Sequence, residues 1–172
     1  MKFLIVSFLL IIFSAACSSD EPDPALTEPI VAAYDTVEIE YQKLGDLAAE
    51  LVSNVAVDPR VPVSDLNQAL ENEPVVSLDF AKPVTTRKDI NNFVRHQQKI
   101  KTSLEQLFDR LGAEPRWQTT PLVVEFKQRY MLRLDSIQIA ISKFNEIVTR
   151  SPYPIDIGGP GTNNRTDSAS LR

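Results

Sequence analysis

The side chains that could do chemistry are few. There is one cysteine, Cys17, and one histidine, His96, in a chain of 172 residues. A catalytic histidine needs a nucleophile and an orienting group. Ser103 lies seven residues after His96, two helical turns away and too far for a direct hydrogen bond. Paired di-metal helices carry a glutamate three residues before the histidine; Phe93 stands there. With Cys17 alone, cysteine–zinc sites and Cys-x-x-Cys-His haem attachment are excluded. The carboxylate pairs also fall short. Glu38 and Glu40 are two apart and point to different sides of a helix. Glu71 and Glu73 stand at a helix end, and Asp20, Glu21 and Asp23 lie in a tether. None offers the two distinct environments that acid/base catalysis requires. A protein that is not an enzyme is expected, with no cofactor and no metal.

The thiol itself has an explanation. Met1-Lys2 opens the chain, "FLIVSFLLIIF" follows from Phe3 to Phe13, and "SAAC" ends at Cys17. The apolar run is too short to span a bilayer. A charged start, a short apolar core and small residues make a secretory signal. Ser14-Ala15-Ala16-Cys17 resembles a bacterial lipobox, with serine where leucine is commonest. Ser14 and Ala16 also satisfy an ordinary small-x-small cleavage site. The resemblance to bacterial lipoprotein precursors covers only the first twenty or so residues. It implies a signal peptide over 1–16, lipidation of Cys17 and an acidic tether over 17–26. It also implies a place in the cell envelope. Ser18 after the cysteine resembles the sorting signal of outer-membrane lipoproteins facing the periplasm; the acidic run at 20–23 resembles a surface-export signal. Several acyl chains anchor firmly where one would not.

The net charge is −5, and loss of Lys2 with the leader makes it one unit more negative. That disfavours nucleic acid, which needs a concentrated basic surface. The 12 prolines are gathered before, between and after three long periodic segments. The first, 27–57, carries Ile30, Tyr34, Val37, Tyr41, Leu44, Ala48, Leu51 and Val55, a heptad pattern without a miss. Gly45 lies beside that stripe. The second, 87–111, carries Ile90, Phe93, Gln97, Ile100, Leu104, Leu107 and Leu111, with Thr86 as N-cap and Gly112 as terminator. The third, 121–149, carries Val123, Phe126, Tyr130, Leu134, Ile137, Ile141, Phe144 and Val148 behind Thr120-Pro121. Leu122, Ile139 and Ile147 widen it. The expected fold is all-α: an elongated three-helix bundle with heptad seams over 27–150.

The connection 112–120 is short and makes the second and third helices antiparallel. The connection 58–85 is long for a bundle. It holds "SDLNQALE", a short helix capped by Ser64, and "VVSLDF", whose Val76, Leu78 and Phe80 alternate onto one face. The direction of the second helix relative to the first stays open. The acidic first segment and the basic second one favour pairing with each other. The tail, 151–172, reads as mostly disordered, with residues 153–157 docked.

Within this frame Val76, Leu78, Phe80, Gln97 and Trp117 are the candidate interaction residues. Gln97 is the one polar member of its stripe, fixing register or lining a cavity. Trp117 either staples the bundle end or anchors a ligand. The expected function is a lipid-anchored, non-enzymatic binding, adaptor or accessory module with an envelope protein partner. The alternative is a module for a small ligand or cell-wall polymer, using the basic second helix. Exposed stripe residues could also pair two copies.

Overall fold

The computed structural model describes residues 22–71, 73–118 and 120–153. The expected signal peptide, Cys17, most of the expected tether and the tail beyond 153 lie outside the described residues. Among the described residues there are five helices and no strand: α1 (Pro24–Val55), α2 (Ser64–Leu70), α3 (Pro83–Ala113), α4 (Pro115–Gln118) and α5 (Pro121–Thr149). The protein is an all-α helical bundle. At about 1.5 Å per residue the three long helices each run roughly 45 Å.

The stripes become the core. All eight heptad positions of α1 are buried, and so are all seven stripe positions of α3, Gln97 included. In α5 the stripe is buried except Leu134, which packs against the core half-exposed. Aromatic edges knit the helices together. Tyr34 meets Phe93 at 6.2 Å and Phe144 at 5.9 Å, and Tyr41 meets Phe93 at 5.5 Å. Such pairs contribute beyond their buried area.

These contacts fix directions. Tyr34 and Tyr41 lie beside Phe93 of α3, and Gly45 shares a hollow with Gln97 and Ile100. Both helices therefore advance together, α1 parallel to α3. Phe108 stacks on Tyr130, and Gly112 lies near Lys127, so α5 runs antiparallel to α3 as the short connection requires. It is also antiparallel to α1, where Glu50 pairs with Arg129 and Glu40 with Arg133. The ion pairs correct one expectation. The acidic face of α1 meets α5 rather than the basic α3; Arg110 of α3 reaches Asp65 of α2.

Helix ends depart from the expected ones. Helix α1 begins at Pro24, with the Asp23 carboxylate accepting from the Ala25 N–H at 2.9 Å, so it takes in residues assigned to the tether and carries Pro29 inside it. Pro29 lies beyond the first turn, so the Ala25 carbonyl loses the N–H four residues on. Helix α3 begins at Pro83, which leaves Thr86 inside the helix, fully buried, instead of at its cap. Helix α3 also runs through Gly112 and stops at Ala113, where Pro115 forces the preceding Glu114 into extended backbone. Ser64 is the first residue of α2 and makes no cap bond. Thr120 is the N-cap of α5, but its hydroxyl donates to the Arg116 carbonyl. Ile139, expected to widen the buried surface, is 57% exposed.

Candidate functional site

Helix α2 lies against α3, and a groove of about 760 Å³ runs between them. Its α2 wall offers Asp65, Gln68 and Glu71; its α3 wall offers Arg95, His96, Gln98, Lys99, Thr102, Ser103 and Gln106. The wall is what α3's periodicity leaves over once its apolar stripe faces the core. The groove is open and mixed in charge, with amides and hydroxyls between. From Arg95 to Gln106 it extends about 16 Å along the helix. His96 sits in this wall, and burial lowers the affinity of its imidazole for a proton, with Glu73 partly opposing and Lys99 assisting.

A strap, residues 73–82, continues from the end of α2 back to the start of α3. The alternation seen in the sequence holds: Val76, Leu78 and Phe80 are half-buried and pack on the core, while Val75 is 90% exposed. Phe80 lies 5.0 Å from the ring of Tyr153, which is also packed on the core. The three candidate residues are therefore turned inward, and their outward neighbours Val75 and Ser77 face solvent.

Two polar ties hold the strap. At its far end the Thr86 hydroxyl donates to the Asp79 carbonyl at 2.8 Å and accepts from the Asp79 N–H at 2.9 Å. At its near end the Gln97 amide donates to the Glu73 carboxylate at 2.7 Å. Gln97 is 1% exposed, and its Oε1 finds no partner. It thus lines small hollows and ties the strap at once. One hollow, of about 210 Å³, lies between α1 and α3 beside Gly45 and Glu73; another, of about 240 Å³, is bounded by Glu38, Gln42, Glu73 and Val75. Burial, then the carboxylates of Asp35 and Glu73, push the Glu38 carboxyl upward. The Tyr34 hydroxyl, buried without a partner, is pushed above the ordinary phenol range by burial first and Glu38 second.

Trp117 belongs to the bundle's end. It is buried in α4, its indole donates to Asp58, and the Arg116 guanidinium lies 5.3 Å from its ring. Asp58, 3% exposed, also accepts from the Arg60 N–H and from the guanidiniums of Arg60 and Arg116. This gives Trp117 a structural task. Sequence reasoning passed over Asp58 and weighed Glu73 only as one of a carboxylate pair. Asp58-Pro59-Arg60 carried a signal, since an aspartate accepting from the N–H two residues on is an Asx-turn. Nothing local marked Glu73, whose partner is 24 residues away.

Among the described residues no group of three or more His, Cys, Asp or Glu is placed to hold a metal ion. Nor is any described helix long and apolar enough to cross a membrane. Comparison with models of protein families, with curated proteins and with solved structures finds no match to this chain.

Proposed function

We propose that this chain is a non-enzymatic binding module of the bacterial envelope. It is carried on a lipid anchor at Cys17, in the outer membrane facing the periplasm. It engages an envelope protein through the groove between α2 and α3. The anchor rests on the "SAAC" stretch behind a short apolar leader. The groove carries the binding reading: it displays carboxylates on one wall and cations on the other, with amides and hydroxyls between. That surface suits reversible recognition of a polar segment of mixed charge, whose two sides it tells apart. A photo-crosslinking residue at Gln98, used in cells, tests it against the same residue at Lys143 of α5. An envelope protein captured from position 98 and not from 143 supports the reading; equal or absent capture from the two removes the groove from it.

One observation favours a second reading. The groove is long, open and rich in amides and hydroxyls, the donors and acceptors that hold a glycan. A cell-wall polymer would then be the ligand. Sedimentation of the purified chain with cell-wall sacculi, lost in Gln98→Ala/Gln106→Ala, would favour this reading over the protein partner.

A further inference from the structure

Four of the large apolar side chains left in solvent belong to α5. Val124 is 50% exposed, Met131 58%, Leu132 66% and Ile139 57%. Their spacing is ordered. Val124, Gln128, Met131 and Asp135 follow 4-3-4 steps along one face of the helix; Gln128, Leu132, Asp135 and Ile139 do the same on the adjoining row. All six are exposed. The second row read backwards is the first. A two-fold axis passing between Met131 and Leu132 therefore brings Val124 opposite Ile139, Met131 opposite Leu132, and Gln128 opposite Asp135.

We propose that this face of α5 is an antiparallel, two-fold interface with a second copy of the same chain. A two-fold contact requires a self-complementary patch. The row meets that requirement in apolar groups and in hydrogen bonding. Of the cations between Val124 and Ile139, Arg129 and Arg133 are turned to Glu50 and Glu40 of α1, and Lys127 lies over the Phe108 ring of α3. Asp135 makes no ion pair among the described residues, so the stripe carries one unmatched carboxylate in an otherwise uncharged row. The partner copy sets the Gln128 amide, a donor, against it. An unrelated partner would have no reason to select a row that repeats itself in reverse. The stripe covers about 22 Å of helix, a narrow contact, so the dimer is a weak one that confinement to a membrane would strengthen. The pairing places the two α1 starts at opposite ends, so copies anchored in one membrane would lie flat along it.

The test uses the full chain carrying Cys17→Ala, so that only an introduced thiol can oxidise. Met131→Cys lies beside the axis and should form a disulfide-linked dimer. Val124→Cys should not link, because the two copies of residue 124 are separated by about 22 Å. Val124→Cys/Ile139→Cys should link. In equilibrium sedimentation without introduced cysteines, Leu132→Glu should weaken the dimer at least ten-fold while leaving the melting temperature unchanged, since Leu132 is exposed. A strictly monomeric chain overturns the proposal, as does Val124→Cys linking as readily as Met131→Cys, which indicates parallel pairing. So does a dimer indifferent to Leu132→Glu, or a monomer whose Met131 is shielded only on lipid vesicles.

Discussion

The indole Nε1 of Trp117 donates to the Asp58 carboxylate at 3.3 Å, joining residues 59 apart in sequence. This bond closes the end of the bundle where α1, α3 and α5 all terminate or begin. Asp58 stands three residues after α1, and Trp117 four residues before α5. Arg60 and Arg116 complete the carboxylate's shell, both more than half exposed while Asp58 is not. A buried acceptor with this many donors holds two chain turns together and leaves no lone pair idle.

Asp58→Asn should therefore lower the melting temperature by roughly 5–10 °C, because an amide N–H₂ would face donors it cannot satisfy. The pH dependence gives a second check. The Arg60 side-chain bonds, then its backbone N–H, hold the Asp58 carboxyl well below the usual carboxylate range. A depressed folded value stabilises the fold at any pH above the unfolded pKa of about 3.9. That stabilisation is lost as pH falls through the folded value. The stability gap between wild type and Asp58→Asn should stay constant from pH 7 to about pH 5 and close only in strong acid. Denaturant midpoints across that range test this; a gap that closes near pH 5 contradicts the geometry.

Thr86→Val keeps the shape of a fully buried side chain and removes both of its bonds to Asp79. The Asp79 N–H is then left without a partner, while its carbonyl keeps the Lys82 N–H. A loss of about 1–3 kcal/mol is expected, read from urea unfolding, together with faster amide exchange at Asp79. Unchanged exchange there would mean the strap does not depend on the clamp.

The seams were legible because burial imposes a period. Ile30 to Val55 and Ile90 to Leu111 could be picked out by 4-3 spacing alone, and every one of those positions is buried. Val76, Leu78 and Phe80 were legible in the same way, by alternation. What spacing cannot supply is the partner of a polar group. Thr86 looks like a cap in the sequence, and only the return of the strap shows that its hydroxyl serves Asp79. Gln97 was visible as an exception in an apolar row, but Glu73 was not. The acidic α1 and basic α3 suggested ion pairs between them, but Glu50 and Glu40 of α1 pair with Arg129 and Arg133 of α5. The α5 rows repeat in reverse, yet without exposure values Ile139 reads as core.

Gly45 illustrates how the structure can reverse an inference. A glycine beside the stripe suggests close packing, yet a Cβ built there would meet Leu70 Cδ2 at 3.9 Å, an ordinary contact. Gly45→Ala should therefore stabilise the bundle by about 0.5–1 kcal/mol, through the lower backbone entropy of alanine. Chemical denaturation measures it, and a destabilised variant would show that α2 sits closer to α1 than this distance allows.

Cys17→Ala should move the protein from the membrane fraction to the soluble one, since the anchor proposal gives that thiol the lipid. Fractionation followed by mass spectrometry of the N-terminal peptide reads both location and acylation. An unchanged distribution would transfer membrane attachment to another part of the chain, and an unmodified thiol would point to ordinary signal cleavage.

Gln97→Leu separates global stability from local order. The wild-type amide oxygen is buried without a partner, a state that costs about 1–3 kcal/mol. Leucine removes that acceptor and adds apolar surface at a position 1% exposed. Against this stands one hydrogen bond to Glu73, which lies at the surface, where solvent weakens a charge-assisted bond. The apolar gain is the larger, so the unfolding free energy should rise by roughly 1 kcal/mol. The strap, having lost its near tie, should exchange its amides faster between Glu73 and Leu78 while Asp79, held by Thr86, stays protected. Hydrogen exchange read residue by residue distinguishes the two effects. Slower exchange throughout would mean that Val76 and Leu78 alone seat the strap and that the Gln97 bond is dispensable.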